Sequence, residues 1–340
     1  MLPSKILILQ TAFLGDVILA TALVEKLHLF YPNSQIDFVL RKGNESLLVG
    51  NPIITKLYIW NKQENKINNL YQILQEIRNE KYDIVINLQR FFSSGILAGF
   101  SGAKKIIGFA NNPLSFLFHE KYIHQIGNNT HEIARNQALI ANFTDNIPLK
   151  PKLYPSVAQE NKVKIYQTQS YICVAPSSVW FTKQYPLEKW ADLLAKLPEK
   201  FKIYILGSPT DSNLCEEVRR KTALLLPYPI TDRIENLCGK LTLLESAALM
   251  RKAVMNYVND SAPLHLASAV NAPVCAIFCS TIPEFGFTPL SDVHFVVQTK
   301  ENLACRPCGL HGYKQCPKAH FLCGNSIATE NLLAILPIQQ

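Results

Sequence analysis

Four short segments of the sequence carry side chains suited to phosphate binding or proton transfer, and the first is Gly15-Asp16. It comes shortly after an apolar run, at a point where a glycine permits a tight strand-to-helix turn. The Asp16 carboxylate then has two interpretations. Its spacing favours a cap that satisfies free amide groups at the helix start. The alternative is a general base, which needs a carboxylate within hydrogen-bond reach of the proton that it removes.

A second segment, APSSVWFTKQYPLEKW, occupies residues 175–190. It supplies the hydroxyl groups of Ser177, Ser178 and Thr182 and the positive charge of Lys183 in a loop that follows a predicted strand. Such a loop suits a phosphate or diphosphate, although a solvated lysine is the commoner fate of a single Lys. The chain has neither a Walker glycine pattern nor G-x-G-x-x-G, so the usual nucleotide-binding motifs are absent from the sequence.

The third segment is LGSPTD, which follows the strand KIYIL. Gly207 and Ser208 allow close approach of the backbone to a ligand, and Asp211, or Glu216 or Glu217 of the next helix, could accept hydrogen bonds from ribose hydroxyls. An ordinary turn followed by a helix cap explains the same residues equally well. Both interpretations stay open.

The fourth segment, NDSAPLH, follows the strand MNYV and opens a helix. Pro263 marks the first turn, where free backbone amides form an anion site beside Asp260, Ser261 and Ala262. His265 lies one turn further on. A lone helical histidine is usually a packed residue, but its place beside this helix start makes a functional role competitive.

Nine cysteines are unusual for this composition, and their odd number argues against a complete disulfide framework. Four of them form a cluster near the end of the chain: Cys305, Cys308, Cys316 and Cys323. The C-x-x-C start resembles a structural zinc site, but the later pair lacks the spacing of a second knuckle. Zinc and a packed loop of free thiols are equally supported. We expect the cluster to lie outside the chemistry.

These segments must be positioned by two similar halves. Apolar runs alternate with helical patterns from Lys5 to Phe143 and again from Tyr171 onward, which predicts parallel sheets covered by helices. The expected fold class is α/β, with two Rossmann-like domains facing a central cleft. We place the first domain at 1–150, a proline-rich linker at 151–170 and the second domain at 171–325. A C-terminal helix in 326–340 is expected to pack back on the first domain.

Net charge and hydropathy limit the partners and the cellular location that the sequence predicts. The net charge of +8 is divided evenly between the halves, so the sequence does not indicate a nucleic-acid partner. No apolar run approaches the 18 to 20 residues of a membrane span, and the N-terminus does not read as a secretory signal. The expected location is the cytoplasm. The mild positive charge suits anionic lipids or phosphorylated substrates.

The combined pattern resembles the ADP-heptose:lipopolysaccharide heptosyltransferases, which are glycosyltransferases of the GT-B fold. The resemblance spans nearly the whole chain in family order. It is carried by LGDVILATALVEKLHLFYPNSQIDFV (14–39), YDIVINLQ (82–89), HEIARNQALI (131–140), APSSVWFTKQYPLEKW (175–190), LGSPTD (206–211) and NDSAPLHLASAVNAPVCAIF (259–278). It departs from the family in two details, APSS in place of a glycine-containing turn and Ala262 where glycine is common.

The resemblance implies roles for these residues. Asp16 would deprotonate an acceptor sugar hydroxyl, Lys183 would neutralise the donor diphosphate, and the helix start from Asp260 to His265 would hold that diphosphate. The LGSPTD loop would border the adenosine. The implied reaction inverts the anomeric carbon, takes an ADP-heptose donor and needs no metal cofactor.

The implied acceptor is a glycolipid of the lipopolysaccharide core, met at the inner face of the inner membrane. Arg90 and Arg135 are candidates to bind its phosphates. Two alternatives remain at this stage: a GT-B enzyme that uses another nucleotide sugar on a cell-envelope glycan, and a non-catalytic homologue that only binds nucleotide sugars. A zinc-dependent nucleic-acid module is disfavoured by the even charge.

Overall fold

The computed structural model of the protein describes residues 3–227 and 233–336. The chain folds into two compact units, Met1–Tyr154 and Pro155–Gln340. In the first unit the elements are β1 (Lys5–Leu9), α1 (Leu14–Phe30), β2 (Gln35–Arg41), β3 (Ile54–Trp60), α2 (Lys66–Glu80), β4 (Ile84–Asn87), α3 (Phe92–Gly99), β5 (Lys105–Phe109), β6 (Glu120–Tyr122) and α4 (Glu132–Ala138). The alternation predicted from the sequence is therefore present here.

The second unit repeats the alternation. Its elements are α5 (Val157–Val163), β7 (Tyr171–Ala175), α6 (Leu187–Lys196), β8 (Lys202–Ile205), α7 (Ser212–Leu225), β9 (Ile234–Asn236), α8 (Leu243–Arg251), β10 (Met255–Asn259), α9 (Ala262–Ala269), β11 (Val274–Phe278), β12 (His294–Gln298), α10 (Leu322–Asn325) and α11 (Thr329–Leu333). A short 3-10 turn, Phe181–Lys183, interrupts the loop between β7 and α6.

Each unit is built on one six-stranded parallel sheet. The strand orders are β3-β2-β1-β4-β5-β6 and β12-β11-β10-β7-β8-β9. In both sheets the order reverses beside the first strand of the unit, between β1 and β4 and between β7 and β10. Loops that leave the carboxyl ends of strands on either side of such a reversal diverge and leave a crevice, where ligands of open α/β sheets bind. The predicted fold class, α/β with two Rossmann-like sheets, is confirmed.

The central strands are apolar because they are covered on both faces. β4, β7, β10 and β11 are buried along their whole length, as expected for interior strands of a parallel sheet. Helix α1 is also buried over most of its length, and its Lys26 ammonium bonds the Asp145 carboxylate at 2.5 Å. Each unit therefore has its own buried apolar core behind the loops that carry the polar segments.

Three strands were not expected from the sequence: β6, β9 and β12. All three lie at the edges of the sheets, and two of them are only three residues long. An edge strand is paired on one side only and needs no continuous apolar run. The region after Ser280, expected to be loop, therefore contributes the outer strand of the second sheet.

Part of the expected linker is helical. Ser156 and Gln159 form a reciprocal capping box at the start of α5, and ion pairs of Glu160 with Arg251 and of Lys162 with Glu245 connect α5 to α8. At the other end of the chain, α11 lies against α6 within the second unit, and residues 337–340 lie outside the described residues. Its expected contact with the first domain stays a prediction.

Candidate active site

Asp16 lies in the first turn of α1, directly beyond the carboxyl end of β1. The N-cap of α1 is Phe13, so Asp16 is not the N-cap residue that the spacing favoured. Its carboxylate instead accepts a hydrogen bond from the backbone amide of Phe13 at 3.2 Å from within the first turn. Burial, together with the nearby negative charge of Glu132, raises the pKa of Asp16 to about 6, although the Phe13 amide and Arg90 act in the opposite direction. A carboxyl group with this pKa can accept a proton near neutral pH.

Glu132 is itself buried and held in a polar network at the start of α4. His124 Nε2 lies 3.1 Å from Glu132 Oε2, and Arg135 Nε donates to the same oxygen at 2.8 Å. Although burial raises the pKa of Glu132, the hydrogen bond with His124 and the charge of Arg135 hold it below its usual value. The network therefore fixes a negative charge next to Asp16.

Arg135 was expected to bind an acceptor phosphate. The structure shows it buried, with its guanidinium donating to Glu132 and to the backbone carbonyls of Gln125 and Thr130. Its acceptor role stays a prediction, and its observed contacts are within the unit. Arg90, by contrast, is exposed just beyond β4.

Two further cations lie on the same side of the first sheet as Asp16, where the carboxyl ends of β2 and β3 are. The guanidinium of Arg41 stacks 4.8 Å from the ring centroid of Phe13. Lys62 donates to the Thr11 carbonyl at 2.7 Å, and burial, together with the charge of Arg41, lowers the pKa of Lys62 to about 8. Sequence reasoning missed both cations. Their positions directly after predicted strands were the available signal.

In the second unit, Lys183 and Asp260 form an ion pair of 2.6 Å between Nζ and Oδ2. The two residues are far apart in the sequence, but they follow β7 and β10, which are neighbours in the sheet. Thr281, just beyond β11, donates its hydroxyl to the same Asp260 oxygen at 2.6 Å. Three adjacent strand ends therefore converge on one carboxylate, which holds the Lys183 ammonium in place.

Helix α9 begins immediately after Asp260, with Ser261 as its N-cap and Pro263 in its first turn. The Ser261 side chain makes no capping bond, and the positive end of a helix favours anions. His265 is buried with its ring at an edge-on angle to Phe287, so the packed position considered for it is observed. The Lys183 ammonium, held by Asp260, and the positive end of α9 at Ala262 therefore both lie at the end of β10.

The loop between β7 and α6, residues 176–186, is tied down by Asn259. This fully buried amide donates to the Pro176 carbonyl at 2.7 Å and accepts from the Tyr185 amide at 2.9 Å. Asn259 was not among the predicted site residues. The available signal was its position as the last residue of a buried strand, because a polar amide at such a place needs hydrogen-bond partners.

The three hydroxyl residues of this loop differ in their contacts. The Ser178 hydroxyl accepts a 3.4 Å bond from the Trp180 amide, and Ser177 is buried at the start of the loop. Thr182 is buried, and its hydroxyl accepts from the Tyr313 amide at 2.8 Å. Thr182 thus bonds the protein itself, and its expected contact with a donor stays a prediction.

At the end of β8, Asp211 accepts hydrogen bonds from the amide and the hydroxyl of Ser208, at 2.8 and 2.5 Å. The helix-cap interpretation of LGSPTD therefore describes the structure. A Cβ atom at Gly207 would lie 2.8 Å from Cys238 Sγ, so only glycine fits there. The alternative ribose acceptors Glu216 and Glu217 form ion pairs with arginines of their own helix.

The four clustered cysteines are free thiols, as are the other five. Burial, with the proximity of Cys308, Cys316 and Cys305, raises the pKa of Cys323 to about 11. Across residues 3–227 and 233–336, no group of three or more His, Cys, Asp or Glu side chains has an arrangement that could hold a metal ion. No helix in these residues is long and apolar enough to cross a membrane.

Residues 70–313 match the profile of Glycosyltransferase family 9 (heptosyltransferase). A lipopolysaccharide heptosyltransferase 3 of Escherichia coli is 26% identical over 281 residues, which cover 79% of this chain and 82% of the relative.

Two solved structures share the fold. A family 9 glycosyltransferase from Veillonella parvula superimposes with a TM-score of 0.84 at 21% identity, covering 98% of this chain and 96% of the other. The ADP-heptose lps heptosyltransferase II of E. coli gives 0.78 at 20% identity, covering 98% and 97%. The family match extends over most of the chain and includes the β7–α6 loop and the start of α9. The chain is therefore a glycosyltransferase and belongs to glycosyltransferase family 9.

Proposed function

We propose that this enzyme transfers a heptose from ADP-heptose to a hydroxyl of a lipopolysaccharide-core acceptor, with inversion at the anomeric carbon. The observation that carries the proposal is the Lys183 ammonium, fixed by Asp260 at the start of α9. A lysine and a helix N-terminus together suit the diphosphate of a nucleotide sugar. The names of the similar heptosyltransferases support heptose and ADP as the sugar and the nucleotide.

In this mechanism Asp16 is the general base. Its carboxylate takes the proton of the acceptor hydroxyl, whose oxygen attacks the anomeric carbon as the bond from that carbon to the diphosphate oxygen breaks. The electron pair of the broken bond leaves with ADP. Lys183 and the first amides of α9 stabilise the charge that develops on ADP in the transition state. These groups supply the positive charge without a metal cofactor.

We assign Asp260 a positioning role. Its carboxylate would repel a diphosphate, but it orients Lys183 and is oriented in turn by Thr281. The backbone near Ser177, Ser178, Ser261 and Ala262 lines the same strand ends. His265 supports the helix from within, and Gly207, Ser208 and Asp211 shape the neighbouring loop for the adenosine.

The acceptor is proposed to be an anionic glycolipid. Arg90, Arg41 and Lys62 supply positive charge at the edge of the first sheet that carries Asp16, and Arg41 stacks on the exposed Phe13 ring. Cations with an exposed aromatic ring suit a phosphorylated sugar attached to lipid. An acceptor of this kind would bring the enzyme to the inner face of the inner membrane.

Replacement of Lys183 by alanine tests the donor site. We expect the Kd for ADP to rise at least tenfold, since a charge-assisted contact is worth about 1.5–3 kcal/mol. The variant also leaves the buried Asp260 carboxylate without its Lys183 partner, so its free energy of unfolding should fall by about 3 kcal/mol, and ADP binding is measured at a temperature where the variant is folded. Lys196→Ala is the matched control, because this lysine lies on α6 and pairs only with surface carboxylates in the described contacts. Unchanged ADP affinity in Lys183→Ala would refute the assignment.

A donor screen tests the reaction itself. Turnover is measured by nucleotide release with ADP-, UDP- and GDP-linked sugars and a lipid A–sugar acceptor. Preference for ADP-heptose supports the proposal. Preference for another donor would identify a different GT-B transferase, and ADP binding without turnover of any donor would identify a binding protein.

A further inference from the structure

Residues 305–323, the cysteine-bearing segment near the C-terminus, lie directly against the β7–α6 loop. Tyr313 and Thr182 are joined in both directions: the Tyr313 amide donates to the Thr182 hydroxyl at 2.8 Å, and the Thr182 amide donates to the Tyr313 carbonyl at 3.1 Å. The Ser280 amide donates to the Thr182 carbonyl at 3.2 Å, and the Cys308 amide donates to the Ser280 carbonyl at 2.9 Å. The segment expected to lie outside the chemistry is thus bonded to the residue that precedes Lys183.

Gly312 makes the closest approach. Its backbone has a φ of +79°, which favours glycine. A Cβ atom built at this position would lie 2.9 Å from Thr182 Oγ1, 3.0 Å from Lys183 Cγ and 3.2 Å from Ser280 Oγ. The Gly312 main chain therefore packs against the aliphatic stem of Lys183, with no room for a side chain between them.

The segment is anchored independently of this contact. Arg306 donates to the carbonyls of Cys279 and Thr281 and to the Gln298 side chain, each at 2.7 Å. The guanidinium thus ties the segment to the ends of β11 and β12. A backbone fixed in this way can restrict a neighbouring side chain, rather than follow its movement.

We propose that the Gly312–Tyr313 turn positions Lys183 for the donor diphosphate. A free lysine samples many rotamers, and holding its stem in advance removes part of the entropy cost of binding. Asp260 fixes the ammonium end and the turn fixes the stem, so the side chain is set at both ends. This inference rests on the proposed role of Lys183 in donor binding, and it makes the cysteine-bearing segment a part of the donor site.

Gly312→Ala tests the proposal. The added methyl group must displace the Lys183 stem or the turn by several tenths of an ångström, and we expect the KM for ADP-heptose and the Kd for ADP to rise about tenfold, since small displacements of a binding group carry large costs. The KM for the acceptor should stay within twofold of wild type. This split between the two KM values separates positioning of Lys183 from general damage to the enzyme.

Gly309→Ala is the matched control. Gly309 belongs to the same segment and has a φ of +64°, but a Cβ there would meet only the end of the Tyr313 side chain, at 3.3 Å. We expect its donor KM to stay within twofold of wild type. If Gly309→Ala raised the donor KM as much as Gly312→Ala does, the effect would come from backbone strain in the segment, and the proposal would be wrong.

A double mutant identifies the residue through which Gly312 acts. In a Lys183→Ala background, Gly312→Ala should raise the Kd for ADP by less than twofold, because the stem that it displaces is gone. A full tenfold effect in that background would overturn the proposal. If neither Lys183→Ala nor Gly312→Ala lowers the affinity for ADP, the donor role of Lys183 itself is refuted.

If Gly312→Ala fails to fold, Thr182→Val provides the same test from the other side of the contact. This change removes the hydroxyl that accepts from the Tyr313 amide while it keeps the side-chain volume. We expect a rise in donor KM of the same sign. An unchanged donor KM in a folded Thr182→Val protein would contradict the proposal.

Discussion

Replacing Asp16 with asparagine separates its chemical role from its structural cost. The pKa of Asp16 is raised from 3.8 to about 6, and at 1.36 kcal/mol per unit its ionisation opposes folding by about 3 kcal/mol above pH 6. Asparagine removes that cost, and its side-chain oxygen can still accept from the Phe13 amide. Part of the gain is offset because the amide group of asparagine is itself polar and buried. We expect a net rise in unfolding free energy of about 1–2 kcal/mol at pH 7.5.

The sign of the pH dependence follows from the raised pKa. Between about pH 4 and pH 6 the folded protein holds the Asp16 proton more tightly than the unfolded chain does. The wild type therefore loses stability from this group as the pH rises through that window. Asparagine does not titrate, so the variant keeps its stability through this window. The difference in free energy of unfolding between the two proteins should therefore vanish below about pH 4.

Urea unfolding at pH 7.5 and at pH 4 measures the stability, and nucleotide release measures turnover. Turnover should fall at least a hundredfold in Asp16→Asn, as expected for loss of a general base, and the wild-type kcat/KM should decline below about pH 6. Asp83→Asn is the control. Lys104 and Ser4 hold the pKa of Asp83 below its usual value, so its removal should destabilise the protein at pH 7.5. Wild-type turnover in Asp16→Asn, or a loss of stability at pH 7.5, would refute the reasoning.

Two further predictions concern buried polar groups. Glu132→Gln should lower the unfolding free energy by about 3 kcal/mol, because it removes the carboxylate to which the buried Arg135 guanidinium is bonded. It should also shift the acid limb of kcat/KM below pH 6, and an unmoved limb would show that Glu132 does not influence Asp16. Asn259→Ala leaves two buried backbone groups of the β7–α6 loop unpaired, so urea unfolding should report a loss of about 3 kcal/mol. A loss below about 0.5 kcal/mol would show that the loop is held by other contacts.

The interior strands could be predicted from the sequence because burial on both faces requires nearly continuous apolar runs. Runs such as KILIL and VCAIF therefore predicted β1 and β11. The outer strand β6, with the sequence EKY, carries no such signal, since pairing on one side leaves its side chains partly exposed. The fold class and the edge strand β3, which has the apolar run LYIW, were accessible from the pattern, whereas the edge strands β6, β9 and β12 were not.

Sequence reasoning singled out some residues of the candidate site, missed Arg41, Lys62 and Asn259, and did not predict the contacts. Lys183 and Asp260 were both singled out, but only the pairing of β7 with β10 brings them to 2.6 Å. The cysteine cluster was expected to lie outside the chemistry. Nothing in the local sequence indicates that Gly312, within that cluster, packs on the Lys183 stem. Contacts between distant segments depend on tertiary packing that single-sequence patterns do not encode.

The two sheets have the same strand order when each is counted from its own first strand. Asp16 follows the first strand of one unit, and the β7–α6 loop follows the first strand of the other, so loops at equivalent positions carry the proposed base and the proposed donor-binding lysine. The two units therefore share one strand topology, and their polar segments lie in loops at corresponding positions of the two sheets. If the proposed duties hold, mutations in the loops of the first unit would alter acceptor preference and mutations in the loops of the second would alter donor preference, so the two specificities could change separately.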